Sequence, residues 1–424
     1  MEPERLRVVL LTAAPFVLML ASLGACRGQG DGETPPAPPR TLAAAEPRFV
    51  SAVNDFGLRL YRRLASGGSQ GNLFLSPVSV HLALDMVFNG AQRSTREAMA
   101  KTLALQGLTP EETSKAASAL MEALRQPADA VQIEAANALW AREGLVLAPE
   151  FRRRTQREFD AAVHRADFAS PGTADEVNAW VRDRTHGKIE RIVDAATVRD
   201  AILLLVNALY FKGRWSVPFS PGLTQESHFH TEADGARRVP FMRRTAEMPY
   251  DENALFQAVA LPYGDGRVRM VVILPKPGRS LADVNAQLTA ERWRLWTGAL
   301  AKRKGTLALP RFKTEYGTSL RPALAAMGME VAFGGQADFG GMLAQGAHQQ
   351  LTGRVRLSDV IHKTALEVNE EGTEAAAATG AVMGITSVRP VQPFQMTVDR
   401  PFLLAIEHQS SGALLFLGAI RDPR

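Results

Sequence analysis

Apolar residues recur at three- and four-residue spacing over Arg48–Ala65. Phe49, Val53, Phe56, Leu60 and Leu64 there predict the buried face of a helix. A second helix is predicted to open at Ser76–Pro77, a hydroxyl cap followed by proline in the first turn. Ala174–Val193 is amphipathic with a break at Gly187. The pattern then changes. Ala201–Phe211 is one continuous apolar run, which predicts a strand buried on both faces. "RVRMVVILP" (Arg267–Pro275) and "PFLLAIEHQSSGALLFLGAI" (Pro401–Ile420) also predict strands, the latter a hairpin turning at Ser410–Ser411–Gly412. Helices predominate early and strands late, so the fold class is α+β rather than alternating βαβ.

One stretch resists a single assignment. "EEGTEAAAATGAVMGITS" (Glu370–Ser387) is good helix by propensity, with Thr373 as a cap. Yet it lies between "TALEV" and "MTVDRPFLLAI", both strand-like, and its alanine run Ala375–Ala378 has Gly372 before it and Pro390 after it. At a strand's period of two, Thr373, Ala375, Ala377, Thr379, Ala381, Met383 and Ile385 share a face, and all are small or apolar. Glu374 is the sole charge between Thr373 and Ser387 and falls on the other face. The segment holds no proline, which a central strand would not accept. It could therefore become a strand without burying a carboxylate. A solvent-exposed helical linker is the competing reading.

With 424 residues, 46% hydrophobic and 22% charged, the chain can bury a large core. No linker-like break follows residue 45, and no repeat period is evident. A net charge of +5 is modest, and the basic clusters Ala301–Gly305 and Arg292–Trp296 suit a strand end or a solvated helix face, so no nucleic-acid partner is expected. A single cysteine, Cys26, excludes an intramolecular disulfide. It ends the sequence "LGAC" after the uncharged stretch Val8–Leu23, which itself follows Arg5 and Arg7. That arrangement suits a signal segment and resembles the lipobox of bacterial lipoproteins, whose thiol is lipid-modified. Residues 26–45, rich in Pro and Gly, read as a disordered tether. Arg27 stands where the inner-membrane retention residue Asp would stand, so the resemblance implies an outer-membrane lipoprotein facing the periplasm or the cell surface, with plain secretion as the alternative.

Among the motifs of catalysis, no H-E-x-x-H, Walker loop or G-x-G-x-x-G occurs. No cofactor or metal is expected. His228 and His230 read as a surface strand pair without a third ligand, and Asp251–Glu252 as a loop.

Several segments, in order, resemble the serpins, the suicide-type inhibitors of serine proteases. They include "NLFLSPVSVHLAL" from Asn72, "NAWVRDRTHGKI" from Asn178, "LVNALYFKGRWSVPF" from Leu205 and "LPYGDGRVRMVVILP" from Leu261. "LPRF" at Leu309, "ADFGGM" at Ala337, "HKTALEVNEEGTEAAAAT" from His362, "DRPFLLAI" from Asp399 and the closing "FLGAIRDP" complete the set. The resemblance covers residues 46–424, after a signal peptide (1–25) and the tether (26–45). It implies three β-sheets, about nine helices and an exposed reactive-centre loop, in a monomer that is not an enzyme. The loop is bait: a protease cleaves it, an acyl-enzyme forms, and the loop inserts into the central sheet with the protease attached. Serine proteases, or cysteine proteases, would be the partners. The alternatives are a non-inhibitory binding protein on the same fold and a mere protease substrate.

Position by position, the resemblance makes Glu370, Gly372, Thr373, Glu374, Ala375, Ala376, Ala377 and Ala378 the hinge. Arg311 would pair with Glu370. Trp215 would lie at the top of the central sheet, and Ser76, Ser79, Asn207 and His362 would form a polar cluster beneath it. Sixteen residues beyond Glu370, the scissile bond would be Thr386–Ser387. Thr before that bond favours an elastase-like or subtilisin-like target over a trypsin-like one.

Overall fold

The computed structural model describes residues 45–68, 71–125, 130–232, 235–345, 355–373 and 392–424. Cys26, Glu374, Ala375, Ala376, Ala377, Ala378, Thr386 and Ser387 lie outside the described residues.

A six-stranded sheet forms the centre. Its order is Phe312–Ser319, Leu357–Val368, Leu203–Arg214, Val131–Arg142 and Ala162–Ala166, and the two-residue strand Gly372–Thr373 pairs with the end of Leu203–Arg214. The middle pair, Leu357–Val368 with Leu203–Arg214, is parallel; Phe312–Ser319 and Val131–Arg142 are each antiparallel to their neighbour in that pair, and the short edge strand Ala162–Ala166 is parallel to Val131–Arg142. Parallel pairing is slightly less stable per residue, so among the four long strands the weakest seam runs down the middle.

The remaining strands form a nine-stranded network with the order Leu73–Leu75, Ala413–Ile420, Phe402–His408, Val268–Pro275, Phe256–Tyr263, Ala236–Glu252, Ala301–Pro310 and Phe394–Thr397. Gln225–His230 pairs beside Ala236–Glu252. Two sheets meet in it. The long strand Ala236–Glu252 pairs with Gln225–His230 and Ala301–Pro310 along most of its length, and touches Phe256–Tyr263 only at Tyr250–Glu252. The three sheets implied by the sequence are thus the central one and two that share a strand. Asp251 and Glu252, expected in a loop, finish that strand because their backbones pair with Ala258 and Gln257, and the Glu252 carboxylate reaches Lys276 at 2.5 Å and Arg303 at 3.2 Å.

The helix Pro77–Phe88 is buried throughout and packs under the central sheet. Its start is the expected one: the Ser76 hydroxyl accepts from the Ser79 N–H, and Pro77 occupies the first turn, where no N–H is needed. Ala45–Ala65 lays Phe49, Val53, Phe56 and Leu60 into the same core. The other face of the sheet carries Leu204, Val206, Ala208 and Tyr210, covered by Val177 and Val181 of the helix Thr173–Arg184. Residues of Leu203–Arg214 therefore alternate between two cores, which is why that run reads as unbroken apolar sequence. The hairpin Phe402–Ile420 turns where expected, with Gly412 at φ +71°.

Candidate functional site

The site lies at one end of the central seam. Leu357–Val368 ends in a reverse turn, Asn369–Glu370–Glu371–Gly372. Asn369 N–H donates to Gly372 O at 2.8 Å, and its side-chain Oδ1 accepts from Glu371 N–H and Gly372 N–H at 3.1 and 3.2 Å. Asparagine forms such turns by mimicking backbone. The chain then doubles back along Leu203–Arg214, with Gly372 opposite Arg214 and Thr373 opposite Gly213, antiparallel. Gly372 has φ +140°, and a Cβ there would sit 2.1 Å from Gly213 O, so only glycine fits.

Residues 215–224 cross the outside of this turn and hold it. Trp215 N–H donates to Glu371 O at 2.9 Å, and its indole N–H to Asn369 O at 3.0 Å. Phe219 N–H donates to Glu370 O at 2.7 Å. Trp215 is itself stacked on Tyr263 at 4.4 Å. The Glu370 carboxylate takes its shortest bond from the Thr224 hydroxyl, 2.8 Å from Oε1. Arg311, the expected ionic partner, stands 3.8 Å from Oε2 and is about half exposed, so this pair contributes little.

Below the turn, the four polar residues expected to cluster do so, buried and within bonding reach. The His362 imidazole joins two strands. Its Nε2 accepts from the Ser76 N–H at 3.1 Å, so Nδ1 carries the proton and donates to Asn207 Oδ1 at 2.5 Å. Asn207 Nδ2 donates to Ser79 Oγ at 2.6 Å and to Asn137 Oδ1. His362 and Asn207 face each other across the parallel seam. Their bond is therefore one that must break if the seam opens.

Asn137, Thr224 and Asn369 belong to the site and were not singled out from the sequence. For Asn369 the signal existed, an Asn opening an Asn-Glu-Glu-Gly turn. For Asn137 the only hint was an amide inside a strand of apolar residues.

Burial pushes His362 down to about 3 and His81 down to about 4. An unfolded histidine titrates near 6.5, so the folded protein binds fewer protons than the unfolded one below that pH. The stability each contributes is complete above pH 6.5 and is lost as pH falls toward these depressed values. Asp85, raised to about 8 by burial, works in the opposite direction, because its proton is held in the folded state. The test is consequently a difference. His362→Gln should be less stable than wild type at pH 7, and the gap should narrow steeply between pH 6.5 and 4 in urea melts. A gap constant with pH would contradict a neutral His362.

The two strand-paired histidines, His228 and His230, lie in Gln225–His230 at the edge of its sheet, and no group of three His, Cys, Asp or Glu placed for a metal occurs among the described residues.

Comparison with known proteins agrees with this architecture. A family model described as Serpin (serine protease inhibitor) matches residues 51–423. Iripin-2 of Ixodes ricinus is 34% identical over 384 residues, covering 89% of this chain and 94% of that protein. Leukocyte elastase inhibitor of Bos taurus is 33% identical over 386 residues, covering 88% and 99%. The crystal structure of a thermophilic serpin, Tengpin, in the native state superposes with a TM-score of 0.80 at 25% identity, covering 91% of this chain and 96% of that one.

Proposed function

The chain belongs to the serpin family, a family of protease inhibitors rather than enzymes, and from that premise we propose that it traps serine proteases as a suicide substrate. One observation carries the reading: the short ladder at Gly372–Thr373. Continued in the same register, it sets Ala375 opposite Phe211, Ala377 opposite Leu209, Thr379 opposite Asn207, Ala381 opposite Leu205 and Met383 opposite Leu203. Directly opposed residues share a face. Phe211, Leu209, Leu205 and Leu203 point into the main core, so the small, uncharged set follows them inward. Glu374 comes opposite Lys212, on the other face. The new strand would run antiparallel to both Leu203–Arg214 and Leu357–Val368, replacing their parallel contact with two antiparallel ones.

The chemistry then runs as a race. The protease serine attacks the carbonyl of Thr386, the bond to Ser387 breaks, and the acyl-enzyme either hydrolyses or is carried off as the strand zips into the seam. About sixteen residues of strand span roughly 50 Å, enough to carry the protease from one end of the sheet to the other. A Thr side chain before the cleaved bond suits a small or β-branched pocket, so an elastase-like or subtilisin-like target is favoured over a trypsin-like one.

The test is a denaturing gel after mixing with elastase or subtilisin. A covalent band near the summed masses is expected, along with a small released fragment whose N-terminus is Ser387. Complete cleavage without the covalent band would reduce the protein to a substrate. A trapped complex whose fragment begins elsewhere would move the reactive bond, with Ile385–Thr386 and Met383–Gly384 the nearest alternatives.

We also propose that residues 1–25 are a lipoprotein signal peptide, that Cys26 carries the lipid, and that residues 26–45 tether the inhibitor domain (46–424) to an outer membrane. The support is the "LGAC" sequence after an apolar stretch and the chain's sole cysteine falling there. Cys26→Ser should abolish palmitate labelling and shift the protein out of the membrane fraction. Unchanged labelling in that variant would remove the anchor.

A further inference from the structure

Residues 215–224 hold the hinge turn from outside, through Trp215, Phe219 and Thr224. One end of this strap is fastened: Ser216 N–H donates to Pro262 O at 2.9 Å and its hydroxyl to Gly264 O at 2.6 Å. Its middle, Val217–Phe219, rests on a side chain from another sheet. Arg244, in Ala236–Glu252, donates through Nη1 to the Val217 carbonyl. Its guanidinium lies 4.9 Å from the Phe219 ring centroid, a cation–π contact. Phe219 in turn meets Trp215 edge-on at 6.2 Å.

Arg244 stands in unusual surroundings. Its Nε has no hydrogen-bond partner among the described residues, and burial pushes the guanidinium down to about 10. A half-buried cation with no carboxylate against it among the described residues is costly. What this one gains is a carbonyl and an aromatic face, both on the strap. Those contacts sit one residue pair from the hinge, since Phe219 N–H binds Glu370 O.

We propose that Arg244 is a positioning residue for loop insertion. It fixes the strap, the strap fixes the turn Asn369–Gly372, and the turn sets the register that the inserting strand extends. The bond from Trp215 N–H to Glu371 O is in step with Gly372–Arg214 and Thr373–Gly213, so it is the first rung of that ladder and need not break as the strand grows. Arg244 thus acts on a fixed pivot, through Phe219 and Val217. The proposal rests on the suicide-inhibitor reading above.

The experiment uses the full chain with subtilisin as the probe protease. Arg244→Met keeps the apolar stem and removes both contacts; Arg244→Lys keeps the charge but loses the planar fork that reaches carbonyl and ring together. Arg244→Met is expected to leave the rate of loop cleavage unchanged while raising the moles of inhibitor consumed per protease trapped at least threefold, with Arg244→Lys in between. A merely structural role would lower the melting temperature without moving that ratio. Phe219→Leu supplies the second arm: in its background Arg244→Met should add little to the ratio. If Arg244→Met does not fold, Arg244→Lys and Phe219→Leu carry the test, and both should raise the ratio. A wild-type ratio in every variant overturns the proposal while leaving the inhibitor reading intact. If wild type shows neither a covalent complex nor a rise in melting temperature after loop cleavage, the inhibitor reading fails, and Arg244 with it.

Discussion

Thr373→Arg is expected to turn the protein from an inhibitor of its target into a substrate. Thr373 is the last described residue before the loop and already lies opposite Gly213. The set it leads is the one directed into the core when the strand forms. A guanidinium there would have to enter apolar surroundings without a carboxylate, which costs several kcal/mol. Thr373 is already paired at the end of the ladder in the intact protein, so part of the penalty shows there as a lower melting temperature and the rest is felt as the strand closes into the seam. If about 3 kcal/mol of the penalty is felt in the barrier to insertion, insertion slows by roughly a hundredfold. The acyl-enzyme then has time to hydrolyse. Glu374→Arg, which the continued register would set opposite Lys212 on the other face, is the control and should keep most of its inhibition. Melting of loop-cleaved protein gives a second readout: wild type should gain many degrees over the intact form, and Thr373→Arg much less. Trapping of subtilisin by Thr373→Arg at wild-type stoichiometry would refute insertion in this register.

The difference between the two variants is legible in the amino-acid sequence alone, because a strand's period of two sorts the loop into a small set and a set holding the only carboxylate. The helix at Ser76–Pro77 and the buried strand after Ala201 are equally legible, since cap chemistry and continuous hydrophobicity are local signals. The strand itself starts at Leu203 and runs past the apolar stretch to Arg214. Lys212 and Gly213 belong to it because they pair with Gln132 and Val131, partners some eighty residues away in sequence. Polar residues at a strand's end look like loop until their partner is known. The same holds for Asn137, Thr224 and Arg244. Each acts only through residues that the fold delivers from elsewhere: Asn207, Glu370 and Phe219. Beyond the apolar residues around Asn137, nothing in their immediate neighbours marks them. Arg311 shows the converse. The resemblance implies an ion pair with Glu370, and at 3.8 Å the exposed Arg311 leaves the nearer Thr224 hydroxyl as the main partner of Glu370.

Gly372→Val should be as damaging as Thr373→Arg, and by a different route. Two conditions coincide at this residue. Its φ of +140° belongs to a region that residues with a Cβ rarely enter, and any Cβ would approach Gly213 O at 2.1 Å, Arg214 Cα at 2.6 Å and Trp215 N at 2.8 Å. These are backbone atoms of a central strand and cannot swing aside as a side chain tip would. The hinge must therefore leave the strand end, and the rungs at Gly372–Arg214 and Thr373–Gly213 are lost. Insertion then has to nucleate before it can propagate, and starting an ordered ladder is its slowest stage, because chain entropy is lost before many bonds form. The expected result is a fall in trapping of at least tenfold, with loop cleavage as fast as in wild type or faster. The control is Gly278→Ala. Gly278 also has positive φ, +78°, but a Cβ there meets nothing within 4 Å. It should cost about 1–2 kcal/mol of stability and leave the stoichiometry of trapping alone. Equal effects of the two substitutions on trapping would mean that backbone strain in general, and not the seeded ladder at Gly372, controls the reaction.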